Sequence, residues 1–298
     1  MRSLASATSL SMALALPAAG AAAGDDIHCD TCAQWNAAQA PFKVYGNTWY
    51  VGTAGLSALL VTGPRGHILL DGALPQSAPQ IIANIRALGF RIEDVRIILN
   101  SHPHWDHAGG IAALQRASGA KVMASAASAE VLERGAIGAD DPQYEAGAVT
   151  PFPKVARVGV IADGQLVKLG PLALSAHMTP GHTPGGTSWS WRSCEQGTCR
   201  DMVYADSLTA VSADGFRFSG DATHPDLSGV FKASIARIAA LPCDVVVSAH
   251  PSFTGIFEKL AARAGDRNAF IAPGGCRAYA EQAGVNLEQR LARERDGK

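Results

Sequence analysis

Residues 101–110 read Ser-His-Pro-His-Trp-Asp-His-Ala-Gly-Gly and place three imidazoles and one carboxylate within six consecutive positions. The side chains of His102, His104, Asp106 and His107 cannot all enter one apolar core, because desolvating them without partners would cost several kcal/mol. The run follows the apolar stretch Val95–Leu99, which predicts a buried strand. We therefore interpret it as a metal site on a loop after a strand, with alternating donors that two adjacent ions can divide between them.

The composition is that of a folded protein with a large core. The chain has 298 residues, of which 47% are hydrophobic and only 17% are charged, enough for one large α/β domain or two small ones. The formal net charge is -1, and the charges are scattered without a basic stripe. This balance gives no reason to expect a nucleic-acid partner.

The N-terminus predicts export. Arg2 precedes an apolar run at residues 10–16, Pro17 ends the run, and alanines at 21–23 offer a small-residue cleavage site. We expect a signal peptide at residues 1–23, one mature domain at residues 24–298, and a periplasmic protein. The apolar run is too short to span a bilayer. A disordered alanine-rich tail is the alternative.

Six cysteines fit an oxidising compartment, and sequence alone does not choose among their pairings. Cys194 and Cys199 flank a predicted turn and form the simplest local pair. Cys29 and Cys32 are separated by two residues, a spacing compatible with redox activity or metal binding. A small disulfide or an unpaired thiol is the more ordinary interpretation.

Apolar strands recur along the chain, each followed by a polar residue that can bind a metal. His102, His182, Asp206 and His250 all stand at such positions, so strands that share a sheet edge would bring them to one rim. Intervening helical patterns predict two sheets with helices on their outer faces. Residues 138–153 contain three prolines and no periodicity, which predicts a long loop of the kind that is often functional.

The order of these motifs resembles the metallo-β-lactamase superfamily. The run at 102–107, then Gly181-His182-Thr183-Pro184-Gly185, then His250 carry the resemblance, which covers roughly residues 42–255. Residues 44–52, 181–189 and 204–208 are similar to subclass B3, and within it to the branch that includes the Adelaide imipenemase. The resemblance implies an α/β fold, an αββα sandwich of two mixed sheets with helices on the outer faces.

The resemblance also implies a function, zinc-dependent hydrolysis of β-lactam antibiotics by a zinc-bound hydroxide. Two Zn²⁺ per chain are expected, the first bound by His102, His104 and His182 and the second by Asp106, His107 and His250. Asp106 would also orient the nucleophile. Ser207 and Thr209 match positions that hold the substrate carboxylate, although ordinary hydrogen bonding at a strand end is a competing interpretation for Thr209. Gln143, in the 138–153 loop, is a further candidate for substrate contact, but a surface role is its more ordinary interpretation.

The same resemblance implies two disulfides, Cys194–Cys199 and Cys243–Cys276. One departure concerns Cys29, because the cysteine that this branch would offer to it is here Ala54. Cys29 then pairs with Cys32 or stays unpaired.

Two other functions remain open at this stage. Asp206 ends a strand where glyoxalase II-like thioesterases and lactonases carry a bridging ligand, although we expect His107 to complete the second zinc site and Asp206 to stay outside the ligand set. A non-catalytic zinc-binding protein is the second alternative. The expected partners are small molecules, with no nucleic acid, no membrane span and a monomeric state.

Overall fold

The computed structural model describes residues 26–297, so the predicted signal peptide at 1–23 lies outside the described residues. The described chain forms two β-sheets with helices around them. The first sheet contains β1 (Phe42–Tyr45), β2 (Thr48–Tyr50), β3 (Leu59–Val61), β4 (His67–Leu70), β5 (Val95–Leu99), β6 (Lys121–Ser125) and β7 (Val158–Ile161). The second contains β8 (Leu166–Leu169), β9 (Leu172–Met178), β10 (Thr187–Glu195), β11 (Thr198–Ala205) and β12 (Val245–Ser248). The helices are α1 (Cys32–Trp35), α2 (Ala78–Ala87), α3 (Trp105–Ala108), α4 (Ile111–Ser118), α5 (Ala126–Arg134), α6 (Ser228–Ala240), α7 (Ile256–Ala262) and α8 (Gly275–Arg295).

Both sheets are mixed. The first has the order β1-β2-β3-β4-β5-β6-β7, antiparallel from β1 to β4 and parallel from β4 to β7. The second has the order β12-β11-β10-β9-β8, with only β11 and β12 parallel. Parallel neighbours end at the same edge, so β4, β5 and β6 deliver their following loops together, as do β11 and β12.

Alternating side chains of the central strands build separate cores on the two faces of each sheet. In β4, Ile68 and Leu70 pack between the sheets, while Leu69 packs under the helices of the first sheet. In β11, Tyr204 packs between the sheets and Val203 packs against α6 and α8. A sheet that is covered on both faces requires strands whose side chains are apolar on both faces. The predicted αββα sandwich is confirmed.

Helix ends follow the glycine signals of the sequence. Helices α4 and α5 end at Gly119 and Gly135, whose φ angles of 71° and 77° lie in the left-handed region that favours glycine. Strands β3 and β4 form an antiparallel hairpin around residues 63–66. Among the helices of residues 26–297, none has the length and apolarity to cross a bilayer.

Three disulfides join the six cysteines, Cys29–Cys32, Cys194–Cys199 and Cys243–Cys276. The second and third are the pairs that the resemblance implied. The first closes a short loop just before α1.

Candidate metal centre

The carboxyl edges of the two sheets converge on one site. His102 and His104 follow β5, and Asp106 and His107 lie on the one-turn helix α3. His182 lies between β9 and β10, and His250 follows β12. The structure therefore brings together all six side chains that the sequence predicted as metal ligands. We call His102, His104 and His182 the first cluster, and Asp106, His107 and His250 the second cluster.

In the first cluster, one donor atom from each of the three buried histidines lies within 4.8 Å of the others. The outer nitrogen of each ring is held by an acceptor. His102 Nδ1 lies 2.8 Å from Asp206 Oδ1, and His104 Nε2 lies 3.1 Å from Asp141 Oδ2. The other nitrogen of each ring then carries a lone pair that can bind a metal. One of these nitrogens, Nε2 of His102, is buried and has no hydrogen-bond partner in the described part of the chain.

His182 is held in the same way by the loop after β11. Its Nδ1 donates to the carbonyl oxygen of Thr209 at 2.8 Å, and the Thr209 hydroxyl lies 3.1 Å from the same nitrogen. The amide of Gln143 lies 3.4 Å from His104 Nδ1 and 3.5 Å from His182 Nε2. Gln143 therefore faces the first cluster and does not point away into solvent.

The second cluster is tighter. Asp106 Oδ2 lies 3.2 Å from His107 Nε2 and 3.4 Å from His250 Nε2, and the two imidazole nitrogens are 3.2 Å apart. Ligand atoms about 2.1 Å from a tetrahedral zinc ion lie about 3.4 Å from one another. The three atoms thus have the spacing of one face of a zinc coordination tetrahedron.

The electrostatics of the site favour a cation. Burial holds the pKa of His102 well below its ordinary value and lowers the pKa of His182 to about 3, so both rings are neutral ligands. Burial alone would raise the pKa of Asp106, but His107 and His250 outweigh it and hold that pKa well below its usual range. Burial of His107 is likewise outweighed by Asp106, which raises the pKa of the imidazole.

Two buried carboxylates lie behind the histidines. Asp71 accepts hydrogen bonds from Ser101 N at 2.7 Å, Ser101 Oγ at 2.6 Å and Tyr204 Oη at 2.8 Å. Its Oδ2 is 4.0 Å from Nδ1 of His107. Burial raises the pKa of Asp71 and raises that of Asp206 well above its usual value. A cation among the histidines would supply the positive charge that these buried carboxylates need. The donor set and its surroundings therefore fit a metal centre.

Asp206 lies behind the first cluster. It contacts the outer nitrogen of His102, and its place is fixed by Gly186, where an added Cβ would lie 2.4 Å from Asp206 Oδ2. Ser207 follows it and is 1% exposed, with an Oγ that has no partner in the described part of the chain.

Sequence reasoning missed Asp71 and Asp141. Asp71 directly follows β4. Other site residues were predicted because each follows a strand, and the same criterion identifies Asp71. Asp141 lies in the predicted functional loop, but nothing in its spacing indicated that it would reach His104.

A family model described as the metallo-β-lactamase superfamily matches residues 52–250. Among solved structures, Rm3 metallo-β-lactamase is 51% identical with a TM-score of 0.87, over 90% of this chain and 100% of that one. MEM-A1, a subclass B3 metallo-β-lactamase isolated from a soil metagenome library, is 52% identical with a TM-score of 0.85, over 89% and 100%.

Among curated proteins, a hydroxyacylglutathione hydrolase of Anaeromyxobacter dehalogenans (strain 2CP-C) is 32% identical over 143 residues, which are 48% of this chain and 44% of that protein. The chain spans about half the length of the curated relatives it matches.

From the family match and the two solved structures, the chain belongs to the metallo-β-lactamase superfamily, and within it to subclass B3. The finer placement in the Adelaide imipenemase branch stays a prediction.

Proposed function

We propose that this chain is a zinc-dependent β-lactamase that hydrolyses the amide bond of penicillins, cephalosporins and carbapenems. The observation that carries the proposal is the meeting of six donor side chains in two adjacent clusters, at the joint edge of the two sheets. The similarity to proteins titled metallo-β-lactamases supports the reaction type.

Two Zn²⁺ ions are the proposed cofactors, one for each cluster. The first cluster supplies three neutral imidazoles, the ligand set that leaves a coordination position open for water. The second cluster supplies one carboxylate and two imidazoles. When bound, zinc lowers the pKa of water to about 7 and polarises a carbonyl group, which is the chemistry that amide hydrolysis requires.

The protein side chains hold this site in place. Asp206, Asp141 and the Thr209 carbonyl fix the ring orientations of the first cluster, so the inner nitrogens are aligned before a metal arrives. Asp106 stays ionised because of its depressed pKa and can accept a hydrogen bond from the attacking water. The depressed pKa supports the catalytic role that we propose for Asp106.

Substrate contacts are proposed for three residues around the clusters. The hydroxyl of Ser207 is buried and has no partner among the described residues, and we propose that it donates to a substrate carboxylate. Gln143 faces the first cluster and is positioned to contact a bound lactam. Thr209 already uses its carbonyl and hydroxyl oxygens on His182, so its main contribution is to position that ring.

Location and assembly are also part of the proposal. A signal peptide at residues 1–23 would direct the chain to the periplasm, leaving one domain at residues 24–298 that acts as a monomer. The disulfides are consistent with an oxidising compartment. A thioesterase or lactonase is less favoured, because Asp206 binds the outer nitrogen of His102 and the hydroxyacylglutathione hydrolases match only part of the chain.

The first experiment is hydrolysis of nitrocefin and meropenem by the purified mature protein, with and without EDTA, followed by restoration of zinc. Turnover that EDTA abolishes and zinc restores is the expected result. A glutathione thioester is assayed in parallel with the same preparation. Thioester cleavage without lactam cleavage by the folded, zinc-loaded protein would refute the proposal and make Asp206 the next ligand to test.

A further inference from the structure

The C-terminal helix α8 contacts the loop after β11 at two separated places. Near the start of the helix, the Tyr279 hydroxyl donates to the carbonyl oxygen of Asp206 at 2.8 Å and accepts from Leu208 N at 3.0 Å. The second place begins at Ser212, four residues after Leu208, and involves Arg290 and Glu294 in the last two turns of the helix. The loop, residues 206–220, is therefore fixed to α8 at both of its ends.

Glu294 is the anchor in the last turn. Its side chain is charged, yet the residue is only 3% exposed. The carboxylate accepts from Phe218 N and Ser219 N, each at 2.9 Å, and from Arg290 Nε at 2.7 Å. A buried carboxylate is tolerated only when it is hydrogen-bonded and paired, and here both conditions are met by the loop and by the helix itself.

Arg290 extends the same anchor toward the metal centre. Its Nη2 donates to Ser212 Oγ at 2.8 Å and to the carbonyl oxygen of Phe216 at 2.7 Å. The planar guanidinium thus uses one edge on Glu294 and another on the loop, an arrangement that the single ammonium of lysine does not reproduce.

The 206–220 loop also contains a residue that contacts the first cluster. Three residues before Ser212, the Thr209 carbonyl accepts from His182 Nδ1. One residue after Ser212, Ala213 N donates at 2.9 Å to the carbonyl oxygen of Pro142. Pro142 is next to Asp141, which holds the outer nitrogen of His104.

We propose that Glu294 and Arg290 are positioning residues for the first cluster. Acting through the 206–220 loop and its hydrogen bond to Pro142, they set the orientations of His182 and His104, although neither residue touches a ligand. This inference rests on the proposed function in that it assigns metal binding to the first cluster. It makes the C-terminal part of helix α8 a determinant of metal affinity.

The test compares Glu294→Gln and Arg290→Lys with a matched control, Glu288→Gln. Glu288 lies on the same helix but pairs with Lys232 at the surface, where both side chains are more than half exposed. Apo protein is titrated with Co²⁺, and its absorption spectrum reports the ligand geometry. Hydrogen exchange is measured over residues 206–220 and 138–153, and circular dichroism checks the fold.

We expect Glu294→Gln to accelerate amide exchange at residues 218 and 219 and to weaken binding of the first Co²⁺ equivalent roughly tenfold, the lower end for loss of an outer partner. The control should match the wild type in both measurements. If Glu294→Gln does not fold, the same comparison is made with Arg290→Lys, which keeps the charge. Amide exchange is then compared around residues 212 and 216, which Arg290 contacts.

Faster loop exchange with unchanged Co²⁺ affinity and spectrum would overturn the inference and leave the proposed function intact. Equal weakening in the control would also overturn it, because the effect would then belong to the helix in general. Failure of the wild-type protein itself to bind Co²⁺ through histidine ligands would instead refute the proposed function.

Discussion

Replacing Asp106 by asparagine keeps the size of the side chain and removes one negative charge from the second cluster. In the structure, Oδ2 of Asp106 lies 3.2 Å from His107 Nε2 and 3.4 Å from His250 Nε2. The depressed pKa of Asp106 means that this charge is present throughout the neutral range. The substitution therefore leaves two imidazoles and an amide, with no negative charge, where a dication is to be bound.

Two effects set the magnitude. Loss of a residue that hydrogen-bonds to a metal ligand costs about 10- to 100-fold in metal affinity. Asp106 is proposed to bind the metal directly. We therefore expect the second metal to bind at least about 100-fold more weakly to the variant. Loss of a group that stabilises developing charge costs about 100- to 1000-fold in kcat, or roughly 3–4 kcal/mol. The fold should persist, because asparagine keeps the size of the side chain and the contacts that change are those to His107 and His250.

The assay is nitrocefin turnover at saturating zinc, with metal content measured on the same samples. Asp140→Asn is the matched control, since Asp140 is an exposed aspartate in the nearby 138–153 loop. A variant that keeps two metals and more than about a third of wild-type kcat would refute the reasoning, because the charge would then be dispensable for both binding and catalysis.

Three further outcomes are expected. His107, whose pKa Asp106 raises, takes up a proton at higher pH than His182, whose pKa burial lowers to about 3. Acidification from about pH 7.5 to about pH 5.5 should therefore remove metal from the second cluster first, and simultaneous loss from both clusters in equilibrium dialysis would contradict this. Asp141→Asn should weaken metal binding at the first cluster about 10- to 100-fold in a competition with a chromophoric chelator, and an unchanged affinity would show that the carboxylate does not act through its histidine. Replacing Cys243 and Cys276 by alanine removes a cross-link between residues 33 apart and should lower the free energy of unfolding in urea by about 4 kcal/mol; a loss under about 1 kcal/mol would argue against the cross-link as a major contribution.

Much of the fold was predictable from local signals. The strand Val95–Leu99 was evident from its apolar run, and the long loop at residues 138–153 from its three prolines and lack of periodicity. The edge strands β7 and β8 were missed, because their side chains are largely exposed and show no alternation in the sequence. They form because the neighbouring strands β6 and β9 offer them unpaired backbone groups.

The site shows the same division between local and tertiary information. Four of the six proposed ligands lie together in the run at residues 102–107, and the resemblance to the superfamily completed the set with His182 and His250. The buried carboxylates were harder, since an aspartate becomes an acceptor for histidine only through the partner that the fold brings to it. Asp141 contacts His104 although the two residues are 37 positions apart in the sequence, and no local pattern predicts that contact.

The placement of the two clusters at the joint edge of the sheets has a consequence for how the protein matures. Of the six proposed ligands, an unfolded chain holds four close together, in the run at residues 102–107, and His182 and His250 join them when the second sheet has packed against the first. Complete uptake of the proposed zinc ions must therefore follow folding, and each bound ion then adds its binding free energy to the native state. Where free zinc is scarce, the chain should reach its native shape but lose this reinforcement, so metal supply would govern how long the protein survives proteolysis as well as whether it is active.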